Sequence, residues 1–343
     1  MIGDFAMSRV ALATGVELDL VDLGPRDAPA LIFLHGFPES HRTWRHHLQH
    51  LSVNYRCIAP DQRGYCGSSK PQDVSAYTVD KLTADIFALA DALGVQQFTI
   101  VGHDWGGAIA WSVALNGQNG APNPDFAGRV TRAIIANAPH PFIFGRLLFD
   151  DPVQRAASQY IRTFRDTAND ELIRDKGIAG ILAKAFADRA PSAGLQPMDE
   201  LGRQLKNWED RDACFGMINW YRASPLNVPA TDENPERPAL LDAPIPPLHM
   251  PTLVIWAMDD AALADSVAQV RAAGGVPFGA ASPHHPTSAK SRPASAKSPS
   301  VSPASVSDGS LRKPPMSASH PAFTVPADRI SPLLRSRLSP RST

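Results

Sequence analysis

The 343-residue chain reads as an α/β protein, a mostly parallel sheet covered by helices with a helical cap inserted before the last recognisable strand. Three observations carry that reading. Short β-rich runs alternate with longer helical patterns. About a hundred residues without a clear strand separate the run ending at Ala136 from the run beginning at Leu253. A Gly-rich turn follows the apolar run Phe98–Val101 and opens a helix. In chain order, the strand candidates are Val16–Leu20, Ala30–Leu34, Arg56–Ala59, Phe98–Val101, Ala133–Ala136 and Leu253–Trp256, each short and rich in strand-forming apolar residues. Helical patterns lie near Trp44–Leu51, Val79–Leu93 and Gly107–Leu115, and again through much of Pro152–Arg222. The expected organisation is a first core part over 1–139, a helical cap over 140–248, the last recognisable strand with an acidic loop over 249–263, and a divergent tail over 264–343. No internal repeat is found.

Composition narrows the function classes. Hydrophobic residues make up 43% and charged residues 20%, ample for a core. A net charge of −1 argues against a protein built to coat nucleic acid or an anionic membrane. No apolar run approaches the ~20 residues of a membrane span. The start, Met1-Ile2-Gly3-Asp4, has neither the basic region nor the apolar region of a signal peptide, so a soluble cytoplasmic protein is expected. Three scattered cysteines (Cys57, Cys66, Cys214) make neither a disulfide framework nor a zinc site. His46 and His50 are spaced i, i+4 but lack a third ligand in context, so no metal is expected. Glycine patches form no phosphate loop or dinucleotide fingerprint, so no cofactor is expected either.

The neutral total hides two unlike parts. Residues 276–343 hold 12 Pro and 16 Ser, about 41% of the segment, with no Glu, Trp or Tyr. Such a stretch cannot bury enough apolar surface to offset its ordering entropy, and disorder is expected there. Its charge is +7, which leaves −8 on residues 1–275.

The sharpest motif is Gly102-His103-Asp104-Trp105-Gly106-Gly107, between a strand and a helix. Small residues let the chain turn tightly and force the central residue outward, the geometry of a nucleophile elbow. That residue is Asp104. A carboxylate is ionised at neutral pH without help from a base, and it can displace a leaving group at an sp³ carbon to form an ester that water must then hydrolyse. His103 is expected to be buried support. A second motif, His35-Gly36-Phe37-Pro38-Glu39-Ser40, follows the strand Ala30–Leu34. In such a pairing the backbone N–H groups of Phe37 and Trp105 would form an oxyanion hole, with His35 a structural hydrogen-bonding residue beneath it. The polar turn Asp61–Ser69 reads as scaffolding.

In this order, and with a helical insertion to follow, the two motifs resemble the α/β-hydrolase superfamily and, within it, the epoxide hydrolases, over roughly Val10 to Leu263. The related haloalkane dehalogenases share the Asp and the following Trp but usually carry Asn where Phe37 stands. The resemblance implies two cap tyrosines that donate hydrogen bonds to the epoxide oxygen. Asn219-Trp220-Tyr221-Arg222 matches the segment carrying one, and Tyr160, in Gln159-Tyr160-Ile161-Arg162, fits the other. A strained ether gives a poor alkoxide leaving group, so a phenol is a suitable acid, whereas a halide departs without a proton. The implied partners are a small-molecule epoxide and water.

The triad in this fold runs nucleophile, acid, histidine. Ala257-Met258-Asp259-Asp260-Ala261-Ala262-Leu263 resembles the acid loop, with Asp260 fitting the acid position better than Asp259. After Leu263 the family pattern stops, and its last strand, last helix and Gly-His turn are not recognisable. His284 and His285 stand at a tolerable distance for the base, but Pro283 and Pro286 flank them, and no strand or aromatic residue is read beside them. His320 lies farther on. The simultaneous switch in pattern and composition fits a change of reading frame after about Ala264, which re-reading the coding DNA in its other frames would test. The resulting expectations are an epoxide hydrolase by descent with impaired turnover, an exposed sheet edge and exposed apolar surface. The rival readings are a dehalogenase-like hydrolase and a non-catalytic ligand-binding homologue.

Overall fold

The computed structural model describes residues 4–187, 198–257, 260, 262–263 and 278–281. Its centre is a sheet of β1 (Ser8–Ala11), β2 (Glu17–Leu23), β3 (Ala30–Leu34), β4 (Arg56–Pro60), β5 (Phe98–His103), β6 (Val130–Ala136), β7 (Thr252–Ala257) and β8 (Phe278–Ala281). The spatial order is β1-β2-β4-β3-β5-β6-β7-β8. The pairings β1–β2 and β2–β4 are antiparallel and every other pairing is parallel. β3 is buried along its whole length, which is why its sequence is an unbroken apolar run.

Helices cover both faces. α1 (Arg45–Leu51) packs with Trp44 and Leu48 over Leu31, Phe33 and Val101. On the opposite face, α2 (Val79–Ala92) and α3 (Trp105–Gly117) bury Phe87, Ile109 and Val113 with Ile32, Leu34 and Ile100. Odd and even positions of β3 thus serve different layers, as the pleat requires.

Between β6 and β7 run α4 (Pro141–Asp150), α5 (Pro152–Ala157), α6 (Gln159–Arg165), α7 (Asp170–Ala185), α8 (Met198–Asn207) and α9 (Arg211–Ala223). α4 and α5 open on Pro, and α9 is capped by Asp210, whose carboxylate accepts from the N–H groups of Asp212 and Ala213. α9 sits directly on the core. The Trp220 indole donates to the Arg63 carbonyl at 2.9 Å. A Cβ added to Gly216 would lie 2.6 Å from the Gly64 carbonyl oxygen, so backbone meets backbone there. Beneath that contact, the Arg63 guanidinium grips Asp85 at 2.8 and 2.6 Å, both residues buried. The polar turn after β4 is therefore a seat for the cap, in line with the scaffolding expected of it. Glu200 of α8 ties down the other side through ion pairs to Arg42 and Arg45.

One expectation is corrected. The sheet has a further strand beyond Leu253–Trp256, because β8 pairs in parallel with β7, Val254 opposite Phe278 and Ala257 opposite Ala281. Phe-Gly-Ala-Ala has no β-branched residue, so local propensity does not announce it, and pairing to the edge of β7 decides it. The same strand corrects the view that nothing regular precedes His284, since β8 ends at Ala281. The last helix of the family pattern and most of the Ser/Pro-rich tail lie outside the described residues. Leu253 and Ile255 of β7 remain 40% and 38% exposed, so apolar surface does stand open on that strand.

Candidate active site

Asp104 sits between β5 and α3 with φ 52° and ψ −123°, a strained backbone for a residue with a side chain. Close packing holds it there. A Cβ on Gly102 would fall 2.3 Å from the Gly106 carbonyl oxygen, and one on Gly106 would fall 2.3 Å from that of Leu34. The glycines of the motif are thus spaces that strand and helix occupy. Oδ1 of Asp104 accepts the Phe37 N–H at 2.7 Å. Burial pushes the Asp104 acid up to about 6, while the His103 charge and the N–H groups of Phe37 and Trp105 pull the other way. The carboxylate therefore stays ionised at neutral pH. The two N–H groups expected of an oxyanion hole both point at it.

Behind the elbow, His103 Nδ1 lies 3.3 Å from Glu39 Oε2, which also accepts from the Thr43 hydroxyl at 2.9 Å. Burial works against an imidazolium here, yet Glu39, then Asp104 and Asp260, raise His103 to about 9. His103 is thus a half-buried cation directly behind Asp104. His35 is fully buried: its Nδ1–H donates to the Gly36 carbonyl at 2.9 Å and its Nε2 accepts the Gln62 N–H at 3.1 Å. Both nitrogens are committed to structure.

The tyrosines approach from the cap. Tyr221 on α9 is only 3% exposed, its ring centroid 5.0 Å from Phe37 and 5.1 Å from Trp105. Burial raises its phenol well above the usual value, with Tyr160 and Asp104 adding to the effect, so it carries its proton. Tyr160 on α6 lies 6.1 Å from Tyr221 and stacks on Phe186 at 5.3 Å. Phe164, one turn beyond Tyr160, closes the group at 4.9 Å from Tyr221 and 5.3 Å from Phe37. Phe37, Trp105, Tyr160 and Tyr221 are thus brought together across the core–cap seam. Sequence reasoning did not single out Phe164 or Phe186. The i, i+4 spacing of Tyr160 and Phe164 on one helix was the available signal.

Asp260 follows β7. Its Oδ1 accepts the N–H groups of Ala262 at 2.7 Å and Leu263 at 3.0 Å, and its Oδ2 accepts from the Asn137 amide. Asn137, at the end of β6 with φ 48°, also accepts the Ala257 N–H at 2.7 Å. It clamps the Asp260 loop to the sheet and was missed in the sequence, where only its tolerance of left-handed backbone hints at a role. Asp259, His284, His285 and His320 lie outside the described residues.

The comparisons with known proteins bear on the family and the fold. Residues 29–273 match the family model described as the alpha/beta hydrolase fold. An AB hydrolase superfamily protein of Bacillus subtilis, YfhM, is 31% identical over 74% of this chain and 82% of its own length. Epoxide hydrolase 4 of Mus musculus is 30% identical over 75% of this chain and 67% of its own. A solved structure from work on novel epoxide hydrolases in metagenomes from hot environments is 55% identical, with a TM-score of 0.73, covering 82% of this chain and 91% of that one. The chain belongs to the α/β-hydrolase family, and within it to the epoxide hydrolases. No helix among the described residues is long and apolar enough to cross a membrane.

Proposed function

We propose that this chain opens a small-molecule epoxide and stalls at the covalent intermediate. An Asp104 oxygen attacks an epoxide carbon; that carbon–oxygen bond breaks, and its electron pair goes to the epoxide oxygen. Tyr160 and Tyr221 hydrogen-bond to this oxygen, and one of them supplies the proton. The product is an alkyl ester of Asp104. Water must then attack the ester carbonyl, with Phe37 and Trp105 N–H groups stabilising the oxyanion as the diol departs. Residues 140–248 act as the cap that brings the acids, and 1–139 with 249–263 as the core that brings the nucleophile.

The observation that supports this reading is an ionised, half-buried Asp104 beside a protonated, buried Tyr221 whose ring packs on Phe37 and Trp105, the two residues whose N–H groups point at Asp104. Asp260, the acid that would orient a histidine, has its carboxylate engaged by Asn137 and two local N–H groups. General-base assistance contributes ~10²–10⁴-fold, so ester hydrolysis without an imidazole falls by that factor.

The test is one incubation with a simple aryl epoxide, following diol and intact protein mass together. A mass increase of one substrate per chain that persists without sustained diol formation is expected. Sustained diol formation would overturn the stall and make His284 and His285 the first substitutions to try. No mass change and no diol would overturn the reaction itself.

A further inference from the structure

The cap carries a second concave feature, on the outside of α6. A depression of about 530 Å³ opens between α6, the turn after it, the end of α7 and the segment following α9. Arg162, Arg165 and Lys184 line it, together with Asp166, Asn169 and Asn227. Tyr160 and Phe164 are not in its lining and pack instead against Tyr221, so this hollow is distinct from the aromatic cluster around Asp104.

Its charge is unbalanced. Arg162 donates to the Val228 carbonyl at 2.9 Å, Arg165 to the carbonyls of Ser224 at 2.9 Å and of Leu226, and Lys184 to the Asn169 amide oxygen. All of these acceptors are neutral. Among the described residues of the lining the one carboxylate is Asp166, which accepts the Ala168 N–H at 2.9 Å, so those residues together carry a charge of about +2. Some cap arginines meet carboxylates, as Arg222 meets Asp170, Arg237 meets Asp150 and Asp242, and Arg174 meets Glu171. Arg146, Arg155 and Arg211 also donate to carbonyls, but as single cations. What sets this hollow apart is that three such cations share one concavity. Residues 1–275 carry −8 in total, so a cationic hollow there stands against the field of its surroundings. Arg165 is half-buried, and burial lowers its pKa, the mark of a cation lacking a counter-charge.

We propose that this hollow binds an oxyanion, a phosphate or carboxylate group held between Arg162, Arg165 and Lys184. The carbonyl contacts keep both guanidinium groups in place before a ligand arrives, and Asn169, itself buried, does the same for the lysine. Preorganised donors of this kind lower the entropic cost of binding. A ligand spanning Arg165 and Lys184 would bridge α6 to the end of α7, whose Tyr160 and Phe186 stack on each other.

The test is calorimetric titration of the full chain with inorganic phosphate and, separately, citrate, at ionic strength held constant with sodium chloride. Saturable one-to-one binding is expected. It should weaken roughly tenfold for each cation removed, in Arg162→Gln and Lys184→Gln, and not change in Lys81→Gln, a lysine on α2. Lys184→Glu, which brings a like charge to the ligand, should abolish it. Tighter phosphate than citrate would assign the site to phosphate esters, and the reverse order to polycarboxylates. Unsaturable heat, or equal binding by wild type and Lys184→Glu, would overturn the proposal. None of these readouts depends on epoxide turnover.

Discussion

Asp104 and Asp260 lie at the carboxyl ends of β5 and β7, and each carboxylate is held by backbone N–H groups, yet they are built by different means. The donors to Asp104 include Phe37, 67 residues away, and the backbone at Asp104 is held at positive φ by packing of helix on strand. Asp260 is held by its own turn, through Ala262 and Leu263, and by one clamp, Asn137. One site depends on long-range closeness and the other on local chain geometry. The first is sensitive to any displacement of distant elements; the second is set by the chain immediately around it.

Asp104→Asn tests the comparison most severely. Ring opening should fall at least about 10⁴-fold, seen as no adduct by mass. Stability should move the other way. An acid raised from 3.8 to about 6 binds its proton more readily when folded, so its charged form costs stability increasingly as pH rises through that window and fully above it. Asp104→Asn should therefore raise the thermal midpoint at pH 8 by an amount worth roughly 2–3 kcal/mol, with no gain at pH 3. In the wild type, the rate of adduct formation should fall as pH drops through about 6.

Next in size is Gly36→Ala. The added Cβ would lie 2.5 Å from the Asp104 Cβ, and a shift of about 1 Å in the nucleophile should slow ring opening by about 10². Tyr221→Phe should slow it by a similar factor and leave the fold intact, which rapid-quench measurement of the adduct would read. The smallest effect belongs to Asp260→Asn. If the two carboxylates are as independent as their contacts, adduct formation should change less than about threefold, and a larger loss would couple the halves.

The same contrast decides what was legible in the sequence. The elbow was readable because Gly102, Gly106 and Gly107 are demanded by atoms within 2.4 Å of where their side chains would be. β3 was readable at its exact residues because both faces of it are buried. β1 was not, since Ser8-Arg9-Val10-Ala11 is a short, mostly exposed edge whose state is set by pairing with β2. Asn137 escaped because its partners, Ala257 and Asp260, lie more than a hundred residues away. The Glu39–His103 pairing escaped for the same reason: each residue stood in a motif, but nothing local joins them.

Gly64 and Gly216 leave no room for a side chain on either partner, and the Trp220 indole fastens the same spot to Arg63. α9 therefore cannot be lifted to admit a bulkier substrate without tearing core from cap. Tyr221 belongs to that fixed seam, whereas Phe164 and Phe186 meet Tyr160 and Tyr221 through side chains alone. A search for broader substrate scope should begin on α6 and α7, where a residue can change size without evicting a backbone.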